Sequence, residues 1–223
     1  MSLVELGTKL HTSQLRRSRL ARWLPVRLVR AIHRELTRGP EVYGLEWGDP
    51  EVWTPLQFIR DRYVLPFVNP GHVALDLGCG GGRWTRYLLG FKTVYAIDYY
   101  AELVAEFRKT FGRYRHVTAI KNNGTDFPDV PPQSVDYILS FGVFGHLNRD
   151  LIDDYLRNIK VILKPGGNAV IHYSDKNKVM AQHPGFADNT PEQMRAMVLS
   201  HGYRIVEEDT STMWNGAIIH FTI

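Results

Sequence analysis

The residues with the plainest chemistry lie in "VALDLGCGGGRWTRYLL", Val73–Leu89, where glycines 78, 80, 81 and 82 separate a hydrophobic run from an amphipathic one. Glycines in such a place let a ligand approach the backbone. A P-loop would need a Lys-Ser or Lys-Thr pair after them, and none follows. The dinucleotide pattern GxGxxG starts with Gly78 and Gly80 but meets Arg83 at its third glycine position. Asp76 stands just before these glycines, at the carboxyl end of an expected strand. A carboxylate there repels a pyrophosphate and suits an ammonium or sulfonium group. Further on, Asp98 ends "VYAID", where a carboxylate accepts from both hydroxyls of a ribose. Capping of the next helix is the structural alternative for Asp98. A nucleoside with a positively charged tail satisfies both acids, and S-adenosylmethionine is such a compound.

The elements that must position these groups alternate. Strand "HVALDL" leads to helix "RWTRYLL", "TVYAID" to "AELVAEFRKTFG", and "HVTAIKN" through a Pro-rich loop to "SVDYILSF" and helix "RDLIDDYLRNIKVIL". "KPGG" then turns the chain into "NAVIHYSD". Strands alternating with helices predict an α/β fold with a mostly parallel sheet covered on both faces. Thr190-Pro191-Glu192-Gln193 reads as a capping box with Pro at the first helical position, and Gly202 closes that helix. "YRIVEED" and "AIIHFTI" form a final hairpin, which makes the last strand antiparallel. A soft boundary near residue 70 divides an N-terminal helical extension, 1–69, from a body, 70–223. In the extension, Thr54-Pro55 starts a helix through Leu56, Ile59 and Tyr63.

"ALDLGCGGGRW", "YAIDYY", "SVDYILSF" and "LKPGG", in this order and spacing, resemble the class I S-adenosylmethionine-dependent methyltransferases. The resemblance covers residues 70–223. It implies a Rossmann-like seven-stranded sheet with an antiparallel last strand. It also implies that Asp76 and the backbone of Gly78, Cys79 and Gly80 hold the methionine end while Asp98 holds the ribose. Tyr99, Ser140 and Phe141 complete the expected cofactor contacts. Many relatives have Gly-Asp after the third strand, whose carboxylate accepts from the adenine amino group. This chain has Asn122-Asn123 and Gly124-Thr125-Asp126 there, so Asn123 with Gly124 is the preferred adenine contact and Asp126 the alternative.

Several acceptor classes are disfavoured by what is missing. Base-amino methylation goes with [DNS]PP[YFW] after the fourth strand, where this chain has Ser140-Phe141-Gly142-Val143. Methylation of cytosine carbon needs a cysteine nucleophile, and the single cysteine, Cys79, sits in the glycine loop. What remains is a small-molecule or glycan hydroxyl, an amine or a carbon. An alcohol is a poor nucleophile at neutral pH, and His146 in "FGVFGHLNRD" follows the fourth strand, where a neutral imidazole would take the proton. Loop ordering is the plainer role for it. Asp175, after "VIHYS", either orients an acceptor hydroxyl or holds a cation such as Mg2+ together with His146. A catechol-type magnesium site would also need an Asp where Ser140 stands. His172, in the same strand, reads as a satisfied buried histidine.

Tyr43, Glu46, Trp47, Tyr100, "HPGFADN" and Trp214 are the candidate acceptor contacts, since flat aromatic faces and directional acceptors suit a sugar. With His146 they are similar to small sugar O-methyltransferases of the mycobacterial methylmannose polysaccharide type. The expected acceptor is therefore a small molecule or oligosaccharide, with no nucleic acid partner. An N- or C-methyltransferase, an RNA ribose methyltransferase and a non-catalytic cofactor-binding subunit stay open.

Composition bounds the rest. With 44% hydrophobic and 22% charged residues the chain is that of an ordinary globular protein. One cysteine excludes intrachain disulfides and fits a reducing compartment, so the expected location is cytoplasmic. There is no signal-peptide pattern and no apolar run near the roughly 18 residues of a membrane span. Residues 1–40 hold nine Lys/Arg against two acids, while the whole chain is only +4, so the body is net negative. The basic helices would cover the core, pair through the apolar face of residues 26–36 in a homodimer, or touch an anionic membrane surface.

Overall fold

The computed structural model describes residues 44–45 and 48–223. The expected helices within residues 1–40, and the acceptor candidates Tyr43, Glu46 and Trp47, lie outside the described residues. Seven strands form one sheet: β1 Val73–Leu77, β2 Thr93–Asp98, β3 Val117–Lys121, β4 Val135–Ser140, β5 Leu163–Ser174, β6 Arg204–Asp209 and β7 Gly216–Thr222. Among the described residues the α-helices are α1 Thr54–Ile59, α2 Ala101–Phe111, α3 Arg149–Ile162 and α4 Pro191–Ser200. The spatial order is β3-β2-β1-β4-β5-β7-β6. The ladders from β3 to β5 are parallel, and β7 runs antiparallel to both β5 and β6.

Alternation along the strands divides the core. Leu75, Leu77, Ile138, Ala169, Ile171 and Ile219 face α3 and α4 on one side of the sheet. Ala74, Tyr137, Leu139, Val170 and Ile218 face the other side, against Leu56 and Ile59 of α1 and the rings of Tyr63, Trp84 and Phe91. Helical turns continue from α1 through Phe67, and the Tyr137 hydroxyl donates to the Tyr63 carbonyl, so this segment packs directly on the sheet. The predicted capping box is present. Thr190 Oγ1 accepts from the Gln193 N–H, and the Gln193 side chain accepts from the Thr190 N–H. Thr190→Ala is expected to lower stability by about 1 kcal/mol, read as a fall in Tm.

Two local expectations are corrected. "RWTRYLL" is a series of tight turns with a 3-10 turn at Thr85–Tyr87, in which the Tyr87 and Leu88 N–H groups donate three residues back, to the Trp84 and Thr85 carbonyls, while the Thr85 hydroxyl is held by Asp76. "KPGG" does not interrupt the chain before β5. It lies inside that strand as a bulge, with Leu163 opposite Val135 and Asn168 opposite Tyr137, and Gly166 takes φ +77°.

Candidate cofactor and methyl-transfer site

The glycine loop leaves the end of β1 and is tied to the end of β2. The Gly78 and Cys79 N–H groups both donate to the Ile97 carbonyl, at 2.8 and 3.0 Å. The Gly80 N–H donates to Asp98 Oδ2 at 2.9 Å, while Asp98 Oδ1 accepts from the Tyr100 N–H at 3.0 Å. Asp98 thus ties the glycine loop to the turn before α2 with one carboxylate. Gly78 has φ +76°, and a Cβ there would meet Val143 Cγ2 at 1.9 Å, so the loop after β4 closes directly onto the glycines. The Cys79 thiol packs with Ala96, Phe107 and Phe111, and burial pushes its pKa up. Its N–H and carbonyl are also paired, with the Ile97 carbonyl and the Gly82 N–H.

Asp76 is buried beneath this loop and accepts from the Thr85 hydroxyl. Burial, with a smaller push from Asp98, raises its pKa to about 7 against the pull of Thr85 and Arg83. A cationic group arriving at the loop would supply the countercharge that Asp76 is short of. That is the fit expected for the methionine end of S-adenosylmethionine.

Beyond Asp98 the two neighbouring asparagines differ in what their side chains have left. Asn123 Oδ1 accepts from the Thr125 N–H and its N–H donates to Asp126 Oδ1, so Asn123 and Asp126 close their own turn. Asn122 is buried instead, and its N–H donates to the Asp98 carbonyl. Its Nδ2 donates to the Tyr155 hydroxyl at 3.0 Å, which leaves Oδ1 as a buried acceptor without a partner. Polarity alone cannot tell neighbouring asparagines apart; the burial alternation after β3 is the signal that separates them. The Tyr99 ring lies beside Gly124 with the Lys121 ammonium 5.3 Å above it, a half-exposed flat surface next to Asp98.

Residues 74–167 match the family model described as a methyltransferase domain. The chain has the Rossmann-like fold of methyltransferases. Its fold is shared with a Mesorhizobium loti S-adenosylmethionine-dependent methyltransferase, at a TM-score of 0.66 and 16% identity over 78% of this chain and 99% of that one. A Haloferax volcanii putative methyltransferase complex with the Trm112 activator matches with a TM-score of 0.61 and 19% identity, over 74% of this chain and 92% of that one. A tRNA U34 carboxymethyltransferase of Saccharophagus degradans is 31% identical over 137 residues, 56% of this chain. The chain spans 38% of that curated relative's length.

The remaining expected site residues separate. The Ser140 hydroxyl is fully buried and donates to the Leu77 carbonyl, so it joins β4 to β1. The Phe141 ring is packed between neighbours, stacked on His172 with centroids 4.4 Å apart and tilted against Trp84 at 4.6 Å. Both side chains are thus engaged within the fold. Tyr100 meets Tyr99 edge-on, whereas Trp214, half-exposed, meets Trp53 at 4.5 Å.

His146 is exposed, with Nδ1 2.7 Å from the Gly185 carbonyl and its ring stacked on Phe186. A carbonyl only accepts, so Nδ1 carries the proton and Nε2 keeps its lone pair. The ring borders a cleft that includes Arg149, Phe186 and Asn189. Asp175 is buried, caps the turn at Asn177 and faces the Lys178 ammonium at 4.0 Å. Asp175 and His146 therefore have separate partners. Among the described residues no three His, Cys, Asp or Glu side chains converge as metal ligands, and no helix is long and apolar enough to cross a membrane.

Two cations carry roles that the sequence does not announce. Arg83, which in the sequence only marks an absent glycine, donates to the Gly48 carbonyl and lies over the Phe141 and Trp84 rings at 5.6 and 6.0 Å. Lys178 donates to the Thr210, Met213 and Gly216 carbonyls and so pins the β6–β7 link to the end of β5. No local pattern marks either one.

Proposed function

We propose that the chain is an S-adenosylmethionine-dependent O-methyltransferase acting on a hydroxyl of a saccharide or similar polar metabolite, with His146 as general base. Asp76 and the Gly78–Gly80 backbone would hold the cationic methionine end, Asp98 the ribose, Tyr99 and Asn122 the base. The cofactor, when bound, supplies a methyl group activated by sulfonium. The protein's part is to hold an acceptor oxygen in line and to remove its proton. His146 Nε2, set as an acceptor by the Gly185 contact, is the observation that carries this reading.

His146→Ala is expected to lower kcat by about 100-fold while S-adenosylhomocysteine affinity, measured by calorimetry, stays unchanged. Turnover is followed as S-adenosylhomocysteine release over a panel of mono- and oligosaccharides. Near-normal kcat with an unchanged pH profile would remove the base role.

A second reading, transfer to tRNA, is supported by the tRNA-modifying relative and by the basic residues within 1–40. Bulk tRNA in the same assay separates the two. Product with tRNA and none with the saccharides would replace the first reading.

A further inference from the structure

The segment just before α1 is fastened to the turns that follow the glycine loop. Arg83 Nη1 donates to the Gly48 carbonyl at 3.2 Å, and Arg86 Nη2 donates to Asp49 Oδ1. The same Asp49 oxygen accepts from the Glu51 N–H at 2.9 Å, while the Asp49 carbonyl accepts from the Val52 and Trp53 N–H groups. The Tyr87 hydroxyl donates to Glu51 Oε1 at 2.8 Å, and Arg60 pairs with Glu51 Oε2 at 3.0 Å. Arg83, Arg86 and Tyr87 thus all reach one strap, residues 48–51, that lies at least 35 positions earlier in the chain.

An ion pair near the surface contributes little stability by itself. The place of the Asp49–Arg86 pair matters more than its strength. Arg86 directly follows Thr85, and its own N–H donates to the Gly82 carbonyl at 3.3 Å. Its guanidinium therefore anchors the turn whose Thr85 hydroxyl donates to Asp76. A 3-10 turn of three residues has few hydrogen bonds of its own, so contacts from outside decide where it sits. The groups facing Asp76 are Asp98 from the end of β2, Arg83 and Thr85 from the turns, and the neutral Cys79 thiol and Tyr137 phenol. Arg86 is not among them, so its influence on Asp76 passes through Thr85.

We propose that Asp49 is a positioning residue for cofactor binding, which through Arg86 holds the Thr85 hydroxyl on Asp76 and so keeps that carboxylate set for a cationic ligand. The inference rests on Asp76 receiving the cationic end of S-adenosylmethionine, and it adds to that site a residue from the segment before α1.

The test is calorimetric titration of S-adenosylmethionine, between pH 5.5 and 8, into wild-type protein, Asp49→Asn, Thr85→Val and the double variant. Asp49→Asn is expected to move the pH dependence of affinity upward by about 0.5 pH unit, which makes binding roughly threefold weaker at pH 6. Thr85→Val should move it in the same direction, because the hydroxyl it removes favours the ionised Asp76. The double variant should match Thr85→Val alone, since one route cannot be cut twice. Arg86→Gln, which breaks the pair from its other end, should reproduce Asp49→Asn. A merely structural pair would lower Tm and weaken binding equally at every pH, and that outcome overturns the proposal. So does a shift in Asp49→Asn that adds to that of Thr85→Val. If wild-type protein binds S-adenosylmethionine and the Asp49→Asn profile is unchanged, the positioning role alone fails. Absence of binding to the wild type overturns the underlying reading with it.

Discussion

Gly78→Ala is expected to raise the dissociation constant for S-adenosylhomocysteine by more than about 100-fold while leaving the far-UV circular dichroism unchanged. The added methyl would lie 1.9 Å from Val143 Cγ2, on a residue held at φ +76°. A left-handed backbone costs a non-glycine residue roughly 1–2 kcal/mol, and overpacking a tight contact adds roughly 1–3 kcal/mol. Relief requires the loop to move. The same few residues donate to the Ile97 carbonyl and the Asp98 carboxylate, so movement dismantles the cofactor cradle rather than one contact. Gly166→Ala is the control. Its φ is +77°, but nothing lies within 4 Å of the new methyl, and the bulge is remote from the loop. It should lower Tm slightly and leave the dissociation constant alone. Equal loss of affinity in both variants would sink the account.

Cofactor affinity is also expected to fall about tenfold per pH unit below about pH 7, because the buried Asp76 must ionise to face a cation. Its native pKa of about 7 lies above the ordinary value of 3.8, chiefly through burial. The native protein therefore keeps a proton that the unfolded chain gives up between pH 4 and 7. Stability contributed by this group is greatest below that window, declines across it and levels off above it. Cofactor binding has the opposite slope, since a cationic ligand favours the ionised carboxylate. Calorimetry at pH 6 in buffers of different ionisation enthalpy should report release of close to one proton per cofactor bound. Asp76→Asn should bind weakly at every pH and show no release. Thr85→Val removes the hydroxyl that lowers the Asp76 pKa and should move the profile to higher pH. A dissociation constant that stays level from pH 5.5 to 7.5 would refute the coupling.

Asp76 and Asp98 are legible in the sequence because strand-end position and spacing are local properties. An alternating strand has a definite last residue, and that residue faces the rim where glycines admit a ligand. Ser140 and Phe141 have the same kind of position, yet what surrounds them is not legible there. The carbonyl that takes the Ser140 hydroxyl belongs to Leu77, and the rings around Phe141 come from Trp84 and His172. Nothing near residue 140 in the sequence encodes those partners. The segment after β1 shows the same limit, since its amphipathic pattern suits a helix while the fold ties Thr85 to Asp76 and closes the segment in tight turns.

By itself the sequence determined the layered α/β fold, the antiparallel ending, the capping box and the acid–glycine–acid arrangement that suits a cationic nucleoside. Each follows from periodicity or from contacts within a few residues, which backbone geometry translates directly into structure. The tertiary structure alone decided which polar atoms are spent and which remain. It engaged Asn123 in its own turn and left Asn122 Oδ1 buried without a hydrogen bond, gave the Asp175 carboxylate to a backbone turn, set His146 Nδ1 on the Gly185 carbonyl, and left the His172 nitrogens and Trp84 Nε1 without hydrogen-bond partners. Those outcomes depend on burial and on partners brought from distant parts of the chain, and a buried donor or acceptor acquires its value only once the fold has withheld water from it.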